Sequence, residues 1–214
     1  FAADSDKGRA AMDAVKKHLA TEKGIKLSWP GYNGYDREKG GVTTYPPGAK
    51  ENGGIFLHPN PWAIIAETIL GDGDQAFSYY NNVNPAAKND SIDEYECEPY
   101  CYAQNILSDE HPLFGLGRNS WLSGTSSWMY QSSTKYILGI RPEHTGIRLD
   151  PCVPKDWKEF SVERKCRGAT YAISVKNPSG KSKGITSLVV DGKAVEGTVI
   201  PYFKDGTHTV EAVM

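Results

Sequence analysis

The sequence ATYAISV at positions 169–175 alternates apolar and polar side chains, which is typical of a half-buried β-strand. Further β-type segments lie at 160–164, 188–190, 198–200 and 208–213. The dipeptide Asp191-Gly192 follows one of these segments and is typical of a tight two-residue hairpin. From Gly146 onward the chain therefore predicts about six or seven short strands, arranged as an antiparallel β-sandwich.

The part of the chain before residue 142 has a different pattern, in which helical segments are separated by long loops rich in Gly, Pro and Tyr. Helices are predicted at 6–19, 61–70, 74–82, 102–107 and 120–138. The loop at 25–60 is long for a compact domain, and its Tyr and Trp content favours a functional role. The change of pattern predicts a domain boundary near residue 142 and an α+β chain.

Composition excludes several classes of function. The chain has 214 residues, with 24 Lys and Arg against 26 Asp and Glu, so it offers no basic surface for nucleic acid. No apolar run approaches the roughly 18 residues that a membrane helix needs. Phe1 is neither an initiator Met nor the start of a signal peptide, which suggests a fragment. The four cysteines predict free thiols in a reducing cytoplasm, and their spacing predicts no metal site.

Nucleotide-binding loops, zinc-protease helices and the nucleophile elbow of hydrolases are all missing from the sequence. Two other places could hold an anion. His58 stands just before a predicted helix, and hydroxyl side chains surround Gly124 at positions 120–127. The alternative interpretation is ordinary packing for His58 and helix capping for the hydroxyls. Composition and spacing leave both interpretations open.

Aromatic side chains and carboxylates are frequent in the predicted loops. The aromatic residues could pack against the apolar faces of sugar rings, although most such residues belong to cores and interfaces. They are Trp29, Tyr32, Tyr35, Tyr45, Tyr95, Tyr100 and Tyr102. Glycoside cleavage also needs a carboxylic acid. No feature distinguishes one among Glu51, Asp93, Glu94, Glu96, Glu98, Asp109 and Glu110.

Several longer motifs resemble one family of carbohydrate enzymes. They are TTYPPGAKENGGIFLH at 43–58, WAIIAE at 62–67, YECEPY at 95–100 with Gln104, GRNSWLSGT at 117–125, GIRP at 139–142 and LDPCVPKDW at 149–157. Together they resemble the inverting glycoside phosphorylases of the cellobiose phosphorylase type, which act on β-linked disaccharides. The resemblance covers essentially the whole chain.

The resemblance implies a fold and a set of partners. Residues 1–141 would be the C-terminal helices and loops of an (α/α)6 catalytic barrel, and residues 142–214 a C-terminal β-sandwich. Cellobiose and inorganic phosphate would react to give α-glucose 1-phosphate and glucose. No metal or organic cofactor is implied. The resemblance also implies two protein partners: the remainder of the enzyme polypeptide, and a second copy of the enzyme in a homodimer.

The resemblance also assigns residues. His58, Gln104, Ser123 and Gly124 would bind phosphate, while Tyr45 and Lys50 would line the acceptor-sugar subsite. The general acid would lie upstream of Phe1, so no catalytic residue is assigned within this chain. Two alternatives remain at this point. One is an inverting hydrolase on an (α/α)6 barrel, and the other is a non-catalytic carbohydrate-binding or structural fragment.

Overall fold

The computed structural model describes residues 4–214, and these divide into two compact units. The first unit runs up to Ala66 and resumes at Ser78–Tyr130. The second unit consists of Glu67–Phe77 together with Gln131–Met214. The boundary between the units lies earlier than the predicted residue 142. Residues 131–139, which precede the first strand of the second unit, already belong to that unit. The domain assignment of a whole enzyme stays a prediction.

Three helices match the sequence predictions closely. Helix α1 spans Ser5–His18, α2 spans Asn60–Leu70 and α3 spans Gly73–Val83. The start of α1 is capped by the Asp4 carboxylate, which accepts a hydrogen bond from the backbone N–H of Lys7 at 2.8 Å. Its last turn carries Lys16, Lys17 and His18, which favour the negative end of the helix dipole.

The first unit contains two small antiparallel sheets. Strands β1 (Ala20–Thr21) and β2 (Gly24–Ile25) form one. The other has the order β3-β4-β5, from Ile55–Phe56, Ala103–Ile106 and Gly117–Ser120. Short helices complete the unit: 3-10 turns at Gly40–Thr44 and Pro85–Ser91, α4 at Ile92–Tyr95 and α5 at Thr125–Gln131.

Two helix predictions in this unit are wrong. The helix predicted at 102–107 is replaced by strand β4 (Ala103–Ile106), because β3 and β5 pair with it on both sides and this pairing overrides a weak helical pattern. The helix predicted from residue 120 begins at Thr125, because Gly117–Ser120 forms β5 and Trp121 has a left-handed backbone with φ 68°. A π-helix at Ser132–Ile137 follows α5.

The second unit is mostly β-structure. Its strands are β6 (Ile140–Pro142), β7 (Gly146–Leu149), β8 (Glu159–Cys166), β9 (Ala169–Lys176), β10 (Ser187–Val190), β11 (Lys193–Ala194), β12 (Val199–Pro201) and β13 (Thr207–Val213). They form a five-stranded sheet, β11-β10-β13-β9-β8, and a three-stranded sheet, β12-β7-β6. The strand predictions at 160–164, 169–175, 188–190 and 208–213 lie within these elements and are confirmed.

The prediction of purely antiparallel strands is wrong for the larger sheet. Strand β13 pairs with β9 in the parallel direction, from Thr207 opposite Thr170 to Val213 opposite Lys176. The chain leaves this sheet to form β12 in the smaller one before it returns as β13, so β13 can enter between β9 and β10 in that orientation. Alternation of apolar residues reports which side chains are buried, and it contains no information on strand direction.

Alternate residues of the central strands form the core of the second unit. Tyr171, Ile173 and Val175 of β9 and Val210 of β13 are almost fully buried. The Asp191-Gly192 hairpin is confirmed: β10 and β11 pair from Val190 to Lys193, and the two turn residues have φ of 48° and 75°. Both residues of such a turn need positive φ, which Asp tolerates and Gly adopts without strain.

Three further observations concern sequence predictions. Cys97, Cys101 and Cys152 are buried free thiols and Cys166 is a partly exposed one. Within residues 4–214, no cluster of three or more His, Cys, Asp or Glu side chains could hold a metal ion. Over the same residues, none of the helices has the length and apolar character needed to cross a membrane.

Candidate active site

The three strands β3, β4 and β5 bring the predicted anion-binding residues to one end of a sheet. Because neighbouring strands are antiparallel, the end of β3, the start of β4 and the end of β5 coincide. His58 follows β3, Gln104 lies near the start of β4, and Ser123 follows β5. The backbone N–H of Leu57 donates to the Gln104 carbonyl at 2.9 Å. This bond holds the chain just before His58 against β4.

The His58 ring lies directly against Gly124. A Cβ atom placed on Gly124 would lie 2.7 Å from Cε1 and 3.0 Å from Nδ1 of the ring. Such a distance is far below ordinary van der Waals contact, so a side chain at position 124 would displace the imidazole. Glycine is therefore required here by the close approach of the ring.

One tryptophan contacts the His58 ring and is itself in contact with a second tryptophan. Trp62 of α2 meets it edge-on at 5.7 Å between ring centroids, and Trp128 of α5 meets Trp62 in the same way at 5.7 Å. Leu57, the residue before His58, is fully buried. These contacts restrict the position of the ring.

The turn from β3 into α2 is held by the side chain of Asn60. Its Oδ1 accepts from the backbone N–H of Ile25 at 2.8 Å, and its Nδ2 donates to the carbonyls of Ile25 and Phe56 at 3.1 and 2.8 Å. Asn60 is 3% exposed. The sequence patterns did not predict this role, because an Asn at the start of a helix is ordinary and no local signal shows that its side chain reaches residue 25.

The Ser123 hydroxyl caps α5. It accepts a hydrogen bond from the backbone N–H of Thr125 at 3.0 Å and shares another with the Thr125 hydroxyl. The hydroxyl of Ser127 donates to the Gly124 carbonyl at 2.9 Å. The capping interpretation of this segment is therefore realised, and it holds the backbone of Gly124 beside His58.

Tyr45 and Lys50 form a second group on one loop. The Lys50 ammonium lies 5.2 Å from the centroid of the Tyr45 ring, a cation–π distance. Asn52, only 1% exposed, organises this loop. Its amide nitrogen donates to the carbonyls of Tyr32 and Tyr45 at 2.9 and 2.7 Å, and its Oδ1 accepts from the N–H of Tyr32 at 2.7 Å. Asn52 was also missed, since its partners are remote in sequence.

Several loop aromatics and carboxylates have structural roles instead. Tyr95 is 1% exposed, its hydroxyl donates to the Cys101 carbonyl, and burial raises its pKa to about 12. Asp109 pairs with the ammonium of Lys26 at 3.0 Å. Glu110 accepts from the backbone N–H of Gly31 at 3.0 Å. These partners favour a stabilising role for each of the three residues.

Similar proteins cover nearly the whole chain. N,N'-diacetylchitobiose phosphorylase from Vibrio proteolyticus is 43% identical over 212 residues, which are 99% of this chain and 26% of that protein. The enzyme of the same name from Vibrio furnissii is 45% identical over 91% of this chain and 24% of its own. Solabiose phosphorylase from Paenibacillus borealis is 34% identical over 99% of this chain and 28% of its own.

The chain thus spans about a quarter of the length of these curated relatives. Residues 2–139 match the family described as "Glycosyl hydrolase 94 superfamily, catalytic domain". That match includes every predicted phosphate-site and sugar-site residue. Because the match covers more than half of the chain, this chain belongs to the glycosyl hydrolase 94 superfamily.

Proposed function

We propose that this chain supplies part of the active site of a glycoside phosphorylase, which cleaves a β-linked disaccharide with inorganic phosphate and inverts the anomeric configuration. The observation that carries the proposal is the contact of the His58 ring with Gly124, at the sheet end where Gln104 and Ser123 also lie. The relatives' names, all phosphorylases of small saccharides, support it.

The chemistry of this donor set suits phosphate. A phosphate ion is bound by several N–H and O–H groups that donate hydrogen bonds to its oxygen atoms. The imidazole of His58, the amide of Gln104, the hydroxyl of Ser123 and the backbone N–H of Gly124 would supply them. Because Gly124 has no side chain, the imidazole of His58 can lie directly against its backbone, so two of these donor residues are adjacent.

The proposed reaction is a single displacement. A phosphate oxygen attacks the anomeric carbon on the face opposite the glycosidic oxygen, and the bond to that oxygen breaks as a carboxylic acid protonates it. The products are an α-sugar 1-phosphate and the released acceptor sugar. We place the acid outside this chain, upstream of Phe1. Tyr45 and Lys50 would line the acceptor subsite, where the ammonium can donate to sugar hydroxyls.

For the substrate, the relatives favour N,N'-diacetylchitobiose over the cellobiose expected from sequence. Two relatives named for it are 43% and 45% identical over nearly the whole chain. Cellobiose is the second disaccharide to test. We also propose the (α/α)6 barrel, the C-terminal sandwich, a homodimer and a cytoplasmic location for the enzyme that contains this chain.

The test uses the full natural polypeptide that contains this chain. It is incubated with N,N'-diacetylchitobiose or cellobiose, with and without inorganic phosphate, and products are followed by phosphorus NMR. We expect an α-sugar 1-phosphate only when phosphate is present. Equal cleavage without phosphate would identify a hydrolase. No cleavage of either disaccharide, or of solabiose, by folded protein would contradict the proposal.

A further inference from the structure

Trp121, at the end of β5, has two features that are unusual together. Its backbone is left-handed, with φ 68°, and the side chain is 67% exposed. Asn119, two residues earlier, is also left-handed, with φ 56°. A bulky aromatic residue rarely adopts this conformation, because Cβ approaches the following carbonyl oxygen. Strain of this kind at an exposed side chain is more frequent at functional sites than elsewhere.

Specific contacts hold the exposed indole in place. Its Nε1–H donates to Oε1 of Glu98 at 2.9 Å, and its ring lies 6.2 Å from that of Tyr100, tilted by 58°. The pKa of Glu98 is held below its usual range, first by a hydrogen bond from its own backbone N–H and then by the indole. Tyr100 is itself 73% exposed. The indole is therefore held in place, and it forms an exposed aromatic surface together with the Tyr100 ring.

The position of this surface limits what it can bind. Trp121 precedes Gly124 by three residues, so their Cα atoms are at most about 11 Å apart. Any sugar attacked by a phosphate ion at Gly124 must lie within reach of the same segment. The axial C–H groups of a pyranose ring are attracted to the negative face of an aromatic ring, and a carboxylate accepts hydrogen bonds from sugar hydroxyls.

We propose that Trp121, together with Tyr100, is a stacking platform for a pyranose ring of the disaccharide, and that Glu98 positions the indole. This inference rests on the proposed function for its choice of ligand. Trp121 would contact the sugar, whereas Glu98 would act through Trp121 and through its remaining carboxylate oxygen.

The experiment measures disaccharide binding by calorimetry in the absence of phosphate, on the full natural polypeptide. We expect Trp121→Ala to weaken binding of N,N'-diacetylchitobiose or cellobiose by about tenfold or more. Leu122→Ala is the matched control, since Leu122 is the next residue and is 66% exposed. It should change binding by less than about twofold, since its side chain has no aromatic face for a sugar ring.

A second pair of variants tests the positioning role. Glu98→Ala should weaken sugar binding by about threefold, because it frees the indole. Glu98→Gln should restore most of the affinity, since its amide oxygen still accepts from the indole N–H. A role in folding alone would also change the phosphate KM, because Ser123 and Gly124 follow directly; we expect that KM to stay within about twofold of wild type.

The outcomes separate this inference from the proposed function. Phosphorolysis by wild type with unchanged sugar binding by Trp121→Ala would overturn the inference alone. Equal losses for Trp121→Ala and Leu122→Ala would indicate an apolar contact surface and would also overturn it. Absence of sugar binding by wild type would overturn it as well. Sugar binding that depends on Trp121 in a protein without phosphorolysis would support the platform and refute the phosphorylase.

Discussion

The two units differ in the hydrogen bonds that join their distant segments. In the first unit, buried amide side chains bridge segments that are far apart in sequence: Asn52 binds Tyr32, and Asn60 binds Ile25. In the second unit, backbone ladders such as that from Glu159 to Cys166 form most of the structure. A ladder tolerates changes of exposed side chains, whereas an amide bridge depends on one residue. The candidate active site lies in the unit that depends on single residues.

The largest expected effect follows from removing one bridge. Asn52→Ala removes a side chain that makes three hydrogen bonds, with the N–H and carbonyl of Tyr32 and the carbonyl of Tyr45. We expect the free energy of unfolding to fall by about 3 kcal/mol, since each lost bond costs about 1 kcal/mol or more when a partner stays buried. Urea denaturation followed by circular dichroism measures it. Asn81→Ala, an exposed helix position, is the control and should change little.

The next effect concerns the site itself. Gly124→Ala would place a Cβ atom 2.7 Å from Cε1 of His58, so the ring must move. We expect about a 100-fold loss in kcat/KM for phosphate, because a displacement of about 1 Å can cost that much in a positioned site. Gly41→Ala is the control, since no atom lies within 4 Å of the added Cβ. Full activity of Gly124→Ala would show that the contact has no role in the reaction.

A smaller effect is expected in the second unit. Gly192 has φ 75° in the hairpin turn, and no atom lies within 4 Å of a Cβ added there. The cost of Gly192→Ala is therefore conformational, about 1 kcal/mol in the free energy of unfolding. Gly192→Asn should recover part of it, because Asn tolerates this conformation. A loss as large as that for Asn52→Ala would contradict the difference drawn between the two units.

The smallest effect is a dependence on pH in the second unit. His208 Nδ1 lies 2.7 Å from Oδ2 of Asp191, and Nε2 lies 2.9 Å from the carbonyl oxygen of Asp205. The hydrogen bond to Asp191 is the main cause of a raised pKa for His208, and the same bond lowers the pKa of Asp191. Both ring nitrogens donate only when the ring is protonated.

The sign of this effect follows from the two shifts. The stabilisation from His208 is fully present below its ordinary pKa of 6.5 and is lost as pH rises through the raised value. That from Asp191 is present above its ordinary pKa of 3.8 and is lost as pH falls through the lowered value. Urea midpoints between about pH 5 and 9 should therefore fall with pH more for wild type than for His208→Gln. His144→Gln, at an exposed histidine, should follow wild type.

Sequence patterns predicted the second unit better than the first for a physical reason. Strands such as Ala169–Lys176 bury alternate residues, and this leaves a period of two in the sequence. The parallel direction of β13 has no corresponding pattern in the sequence. In the first unit, Ala103–Ile106 is a strand because two remote segments flank it, so local pattern gave the wrong element. His58 and Gly124 were identified from their local setting and from family motifs, whereas the contact between them depends on that same sheet.

The supporting residues of the site were harder to find from sequence. Asn52 and Asn60 act through backbone groups that lie far away along the chain, and local rules describe them only as turn and cap residues. Trp121 stood inside a recognised motif, but its left-handed backbone and its bond to Glu98 are visible only in three dimensions. Contacts of this kind therefore need the structure even where the family is evident.

The central claim is that the His58 end of the β3-β4-β5 sheet binds the attacking phosphate. The most direct measurement is the KM for phosphate and for the disaccharide in His58→Ala of the full natural polypeptide. We expect kcat/KM for phosphate to fall by about 100-fold, as for loss of one charge-stabilising donor, while disaccharide affinity stays within about twofold of wild type. Equal losses for phosphate and disaccharide would contradict the claim.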